Sequence, residues 1–575
     1  MDFQWRLRQP DNPDLVQQLS AQLNDIPLPL ARALVLRGID SYEKARHFFR
    51  PSSADILDPF LMKDMDKAVD RVVRAIQGGE RVMVYGDYDV DGTTATALMT
   101  AFLRRRGVDV SYFVPHRVDH GYGLSAAGID VARERRASLI IALDCGITAF
   151  EEAAYTKSLG IDLIICDHHT VKNEVPEAVA VLDPKRPDCS YPFDELSGCG
   201  IGFKLAQATS ATLGEAEEEV RGFLDLVAVS IASDIVPIDG ENRVLMREGL
   251  HKLHTNPSTG FRALARHAGA DLSTCSTSQI LFALGPRINA AGRLGDAGRA
   301  VDLMLAEDDR DADRLAAILE KTNDRRKAID RETVDDAVLK AEALFARQDV
   351  NGIVLHEAEW HPGVIGIVAS RLVERFVRPT ILLTTVNGVA KGSARSIHGI
   401  NIYEAIRTCE DLVEDFGGHN YAAGLSIRTE RIAEFSERFN AAVGELASAD
   451  SFIPSINYDS TLALDEVDRR FLALLTQFEP YGPSNRNPVF RSSDLQVVGR
   501  PRSVGRDDSH LKFSVRQDSG RPLDVIGFGL VDRLDAVMHS RESGEPLEML
   551  FNVEERVWKG TRAVQLKAKD VRLQT

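Results

Sequence analysis

RVMVYGDYDVDGTTATALMTAFLRRRG (81–107) decides the fold of the largest part of this chain. Its first five residues are a short apolar, β-rich run. After the acidic turn GDYDVDG, the Ala-, Leu- and Met-rich stretch reads as a helix stopped by Gly107. The same rhythm continues downstream. VDVSYFV (108–114), SLIIALD (138–144), DLIICD (162–167) and AVAVLD (178–183) are strand-like, with helical patterns between most of them. Strands alternating with helices imply an α/β domain with a doubly wound parallel sheet.

Working outward, 575 residues are too many for one hydrophobic core, so several domains are expected. Residues 1–75 read as a helical lead-in, with LARALVLRGI and YEKARHFF carrying apolar residues at helical spacing. The parallel-sheet domain is expected over 76–298. Residues 299–351 contain neither Gly nor Pro and are rich in Ala, Leu and charged residues, which predicts a long helix or helix pair as a connector. GIVLHEAEW, VIGIVASRLVERF and PTILLTTV then open a second α/β domain, expected over 352–447. From 454 to 575 short β runs such as HLKFSVRQ and LDVIGFG predict a small barrel.

The acids fall in a pattern. Asp87, Asp89 and Asp91 follow the first strand, Asp144 ends the strand at 138–144, and Asp167-His168-His169 ends the one at 162–167. The carboxyl ends of parallel strands share one edge, where such sheets place ligands. Asp234, after the apolar helix FLDLVAVSIAS, can close the same site. A single Asp at a strand end is more commonly a helix cap or turn residue, and a single His an ordinary half-buried side chain. Capping does not account for DxDxD, LDCG and DHH at one end of three strands. Packed carboxylates repel one another without cations. Mixed with imidazole they suit Mn²⁺ ahead of Mg²⁺ or Zn²⁺, and paired divalent cations are the usual device for phosphodiester hydrolysis.

Bulk properties narrow the partners. A net charge of −17 argues against a protein that coats nucleic acid by its overall field, although a carboxylate-rich metal cleft contributes to that charge. No apolar run is long enough to span a bilayer. The opening MDFQWRLRQPDNPD offers no signal-peptide core, so a cytoplasmic location is expected. Six scattered cysteines without a CxxC pair fit a reducing compartment.

GDYDVDGTTA (86–95), LDCGI (143–147), DHH (167–169) and ASDIVPIDGENR (232–243) resemble, in order, the four motifs of the DHH phosphoesterase superfamily. HGYGLS (120–125), GPRINAAGRL (285–294), KGSARS (391–396) and FGGHNYAAG (416–424) are similar to runs of its RecJ family, and the resemblance covers essentially the whole chain. It implies a DHH catalytic domain, a DHH-associated second domain and a C-terminal OB-like barrel. It also implies a single-stranded-DNA-specific 5′→3′ exonuclease of DNA repair and recombination that releases mononucleotides and works as a monomer. A RecQ-type helicase and a single-strand-binding protein are the implied partners. The metal ligands it implies are Asp89 and Asp144 on one cation, and Asp91, Asp144, His168 and Asp234 on a second, with Mn²⁺ preferred or Mg²⁺. Asp87 supports the first and His169 faces the scissile phosphate. Arg117, Arg287, Asn289, Arg293, His361, Ser393, Arg395 and His419 are the expected substrate contacts. Loop arginines are otherwise commonly solvated or ion-paired. Trp360 and Tyr421 suit base stacking or packing equally, and Arg500, Arg502, Arg506, Lys512 and Phe513 suit either a strand-binding surface or an ordinary sheet face. A DHH phosphoesterase of small phosphoesters or short oligonucleotides is the alternative function; it has no need of the lead-in or the barrel.

Overall fold

The computed structural model describes residues 3–117, 120–121, 123–172, 174–448, 450–558 and 561–574. The residues at 118, 119 and 122, within the VPHRVDHGYG run, lie outside that set. The stretch quoted first folds as strand Arg81–Tyr85, a turn, and helix Val90–Arg104. Five strands form one all-parallel sheet in the spatial order Asp109–Phe113, Arg81–Tyr85, Leu139–Leu143, Asp162–Cys166, Ala180–Leu182. The four strands from Arg81–Tyr85 to Ala180–Leu182 carry buried apolar runs, as a sheet covered on both faces requires, while the edge strand Asp109–Phe113 is more polar and only half-buried. Met83, Tyr85, Ile140 and Ile165 pack on one face under helices Ala126–Glu134 and Phe150–Ser158, while helices Met65–Gly78, Val90–Arg104 and Gly198–Thr212 cover the other. The sheet is doubly wound, as its alternation predicts. Strand order reverses between Arg81–Tyr85 and Leu139–Leu143, and a crevice opens at such a switch point.

The Gly- and Pro-free segment forms helix Gly298–Leu305 and then one long helix, Asp309–Phe345. Asp308 caps the long helix, its carboxylate accepting the Arg310 and Asp311 N–H groups at 3.0 Å each. The second domain is a mixed sheet. Ile353–His356 and Thr380–Val386 run parallel, and Val389–Arg395, Ala422–Ile427 and Asp415–Gly418 continue antiparallel.

The chain divides into two compact units. The first combines Met1–Ile56, Pro237–Asp239 and Pro454–Thr575; the second holds Leu57–Val236 and Gly240–Ile453. In the first unit, strand Gln4–Leu7 pairs in parallel with Ser455–Tyr458. Five strands close a barrel in the order Phe490–Val504, His510–Gln517, Leu523–Gly527, Thr561–Leu573, Leu547–Trp558 and back to the first. Closure removes exposed sheet edges. Leu30, Leu34 and Phe48 share one core with Phe471, Phe478 and Phe490, so the early helices are part of the barrel's own unit. Helix Met65–Gly78, within the expected lead-in, belongs instead to the parallel-sheet unit.

Candidate metal centre and phosphate pocket

The switch point gathers the acids. Asp89 ends the first turn as the cap of helix Val90–Arg104, its Oδ1 accepting the Gly92 N–H at 3.0 Å. Asp91, in the first turn of that helix, is buried and accepts from Gly198 N (2.6 Å), Cys199 N (2.8 Å) and Ser230 Oγ (2.6 Å). The start of helix Gly198–Thr212 therefore aims two N–H groups at it, where the helix dipole also favours an anion. Asp144 turns sharply off its strand at φ 61°, a conformation Asp tolerates better than most residues. A Cβ at Gly198 would lie 2.6 Å from the Asp144 Cβ, so only glycine lets that helix approach the carboxylate.

His168 joins the segments. Its Nε2 lies 3.2 Å from Asp144 Oδ1, 3.5 Å from Asp234 Oδ2 and 3.7 Å from Asp91 Oδ2. Candidate ligand atoms of Asp87, Asp89 and Asp144 fall within 4.8 Å of one another; so do those of Asp91, His168 and Asp234, and those of Asp144, His168 and His169. Two donor sets thus stand side by side, with Asp144 beside both. Asp167 orients the His169 imidazole and holds the backbone of the DHH turn. Its carboxylate accepts the His168 and His169 N–H groups (2.8 and 3.2 Å) and the Ile147 N–H (2.9 Å), and lies 2.7 Å from His169 Nδ1.

The electrostatics are those of a site built for cations. Burial first, and then neighbouring carboxylates, push the protonation equilibria of Asp87, Asp89, Asp144 and Asp234 upward. Burial holds His168 below the usual imidazole range, leaving a neutral ring able to ligate. Against burial, hydrogen bonds from His169 and Ile147 hold Asp167 at about 2, and Asp167 in turn raises His169 in spite of its burial. Asp87 Oδ1 and Asp234 Oδ2 are buried and receive no hydrogen bond among the described residues. Oxygen donors with imidazole, crowded and undersatisfied, fit divalent cations such as Mn²⁺ or Mg²⁺.

A second feature adjoins this one. A cavity of about 350 Å³ is lined by Arg117, Arg293, Lys391, Ser393 and Arg395 together with close-packed glycines. Arg293 donates to the Gly363 carbonyl at 3.0 Å; burial and the charges of Arg117, Arg326 and Arg395 bring its guanidinium down to about 10, with Asp89 opposing them. Arg395 is lowered by burial and by Arg117. Cations that disfavour one another in this way mark a place for an anion.

Other expected contacts sit elsewhere. The Arg287 guanidinium grips Glu320 of the long helix with both ends and donates to the Ala283 carbonyl at 2.6 Å, so it ties two helices together. Asn289 is half-buried on the same helix and does not line the cavity. His361 accepts the Gly363 N–H at 3.0 Å at the cavity's edge, and His419 is exposed in the turn before Ala422–Ile427. Trp360 is buried, donating to Asp336 at 3.0 Å, and Phe513 lies in the barrel core; both pack. Ser230, Asp183, Lys391 and Tyr88 were missed by sequence reasoning. Ser230 had a signal, a polar residue one turn before Asp234 on a largely apolar helix.

Carboxylates and imidazoles at the switch point of a parallel sheet, beside a cationic cavity on a second α/β domain, define a metal-dependent phosphoesterase of the DHH class. Residues 81–231 match the DHH family N-terminal domain, 349–445 the DHHA1 domain and 458–570 the RecJ OB domain. The chain is 37% identical over 572 residues to the single-stranded-DNA-specific exonuclease RecJ of Bacillus subtilis, covering 99% of this chain and 70% of that protein. It is 34% identical over 566 residues to RecJ of Salmonella typhimurium, covering 95% and 96%. RecJ of Thermus thermophilus in complex with Mn²⁺ superposes with a TM-score of 0.81 at 28% identity, covering 100% of this chain and 80% of that one. This chain belongs to the RecJ family and is a metal-dependent nuclease. Its relatives' structures hold Mn²⁺ or Mg²⁺.

Proposed function

We propose that this protein removes mononucleotides from the 5′ end of single-stranded DNA by two-cation phosphodiester hydrolysis. The observation that carries this reading is the cationic cavity coupled to the carboxylate cluster, with Arg293 feeling both the other guanidiniums and Asp89. Asp87, Asp89 and Asp144 would hold one cation; Asp91, His168 and Asp234 would hold the other, with Asp144 shared. Bound there, the pair supplies a water nucleophile at neutral pH and neutralises charge on the phosphorus oxygens. Arg117, Arg293, Ser393 and Arg395 bind the terminal phosphate. An internal nucleotide has no terminal phosphate to place in that pocket, which gives the enzyme its polarity. His169, kept cationic by Asp167, faces the scissile phosphate and holds a proton for the leaving oxygen. Arg287 lies outside this set.

We assign catalysis to the parallel-sheet domain, phosphate binding to the second α/β domain and strand binding to the OB-like barrel. A duplex must be opened before one strand reaches the cavity, so a helicase of RecQ type is the partner class that supplies substrate, and a single-strand-binding protein the class that presents it. All six cysteines are free, and no helix among the described residues is long and apolar enough to cross a membrane; both suit work on DNA in the cytoplasm. The test incubates 3′-labelled single- and double-stranded oligonucleotides with the protein and Mn²⁺. A ladder shortening one nucleotide at a time from the 5′ end of single strands is expected. Endonucleolytic fragments, 3′ polarity or equal rates on duplexes would refute the reading. Asp144→Asn should abolish hydrolysis while the protein still binds the oligonucleotide in a mobility-shift assay.

A further inference from the structure

Tyr88 stands in the chain between two of the carboxylates, Asp87 and Asp89, and touches two of the three arginine-bearing elements of the cavity, those of Arg117 and Arg293. Its ring lies beneath the Arg117 guanidinium, whose central carbon is 4.9 Å from the ring centroid. Its backbone is the seat of helix Gly285–Leu294: a Cβ at Gly292 would lie 2.2 Å from the Tyr88 carbonyl oxygen and 3.2 Å from its Cβ. Only glycine permits that approach, and the next residue is Arg293, which lines the cavity.

The three guanidiniums differ in how they are held. Arg293 projects from a helix and is tied to the Gly363 carbonyl at 3.0 Å. Arg395 ends a strand and donates to Ser393 Oγ at 3.0 Å and the Ala394 carbonyl at 2.8 Å. Arg117 is in a loop and faces the charges of the other two. An electron-rich tyrosine face is the contact that offsets such repulsion and fixes a planar cation.

We propose that Tyr88 is a positioning residue that fixes the spacing between the terminal-phosphate pocket and the metal-binding carboxylates, so that discrimination between a 5′-phosphate and a 5′-hydroxyl end depends on its ring. This rests on the cavity being the terminal-phosphate pocket.

The experiment uses the full chain with Mn²⁺ and 3′-labelled single strands bearing either a 5′-phosphate or a 5′-hydroxyl. Tyr88→Leu is expected to lower the phosphate-to-hydroxyl ratio of kcat/KM by about tenfold, mostly through KM on the phosphorylated strand. Tyr88→Phe keeps the ring and should keep the ratio. Mn²⁺ affinity, read by titration, should stay within about twofold in both. In an Arg117→Ala background, Tyr88→Leu should change the ratio no further, since the ring then has no cation to hold. Should the Leu variant fail to fold, Tyr88→Met is measured in its place with the same expectation. A ratio unchanged in the Leu or Met variant, an equal loss in Tyr88→Phe, or full additivity with Arg117→Ala overturns the proposal. A wild-type protein indifferent to the two ends would instead remove the underlying reading of the cavity, and the proposal with it.

Discussion

Asp183 ends the last strand of the parallel sheet, fully buried, with Oδ1 accepting the Lys185 N–H at 2.8 Å and Oδ2 receiving no hydrogen bond among the described residues. Burial, with Asp167 nearby, raises its carboxyl to about 7. Unfolded, it titrates near ~3.9. The folded state therefore holds this proton more tightly. Its contribution to stability is complete below the unfolded value and is lost as pH rises to about 7. Asp183→Asn should raise Tm at pH 8 and flatten the fall in Tm between pH 5 and 8 in calorimetry; an unchanged slope would count against this account. Gly198→Ala drives a methyl group into Asp144, and we expect activity to fall at least about tenfold with weakened Mn²⁺ binding, because a displacement of about 1 Å at a metal ligand is that expensive. At this scale the acids were legible, because strand-end carboxylates in a parallel sheet have one place to go. Arg287 was not: whether a loop-like arginine meets a phosphate or Glu320 depends on where the long helix lies.

Helix Gly198–Thr212 shows what elements add. Its N-terminus cradles Asp91, and its middle is locked by Lys204, wholly buried, whose Nζ lies 2.9 Å from Glu241 Oε1, while the Tyr191 hydroxyl donates to Glu241 Oε2 at 2.6 Å. Removing one partner strands a buried charge. Lys204→Met should destabilise the parallel-sheet unit by about 3–5 kcal/mol in denaturant melts, and adding Glu241→Leu should restore most of that loss. If the single and double variants melt alike, the pair is not holding the helix. The helix itself was readable from its apolar spacing. Lys204 was not, because a lysine on an amphipathic pattern ordinarily lies in solvent. The long helix Asp309–Phe345 was also readable, since a stretch without Gly or Pro has nothing to stop it.

At the scale of the molecule, the early helices and the C-terminal barrel fold around one core. Phe48 packs edge-on against Phe478 with ring centroids 5.4 Å apart. Phe48→Ala should cost about 3–5 kcal/mol and be felt in the barrel, where hydrogen exchange along Phe490–Val504 should accelerate. Protection unchanged in that strand would mean the two segments are independent. The sequence by itself determined the alternating parallel sheet, the long helix and the clustering of Asp87, Asp89, Asp91, Asp144 and His168, because periodicity and strand ends are local properties of the chain. Tertiary structure alone decided that Gln4–Leu7 pairs with Ser455–Tyr458, that Arg287 belongs to Glu320, and that Tyr88 lies under Arg117. Those contacts join segments far apart in the chain, and only the packed fold determines which of them meet.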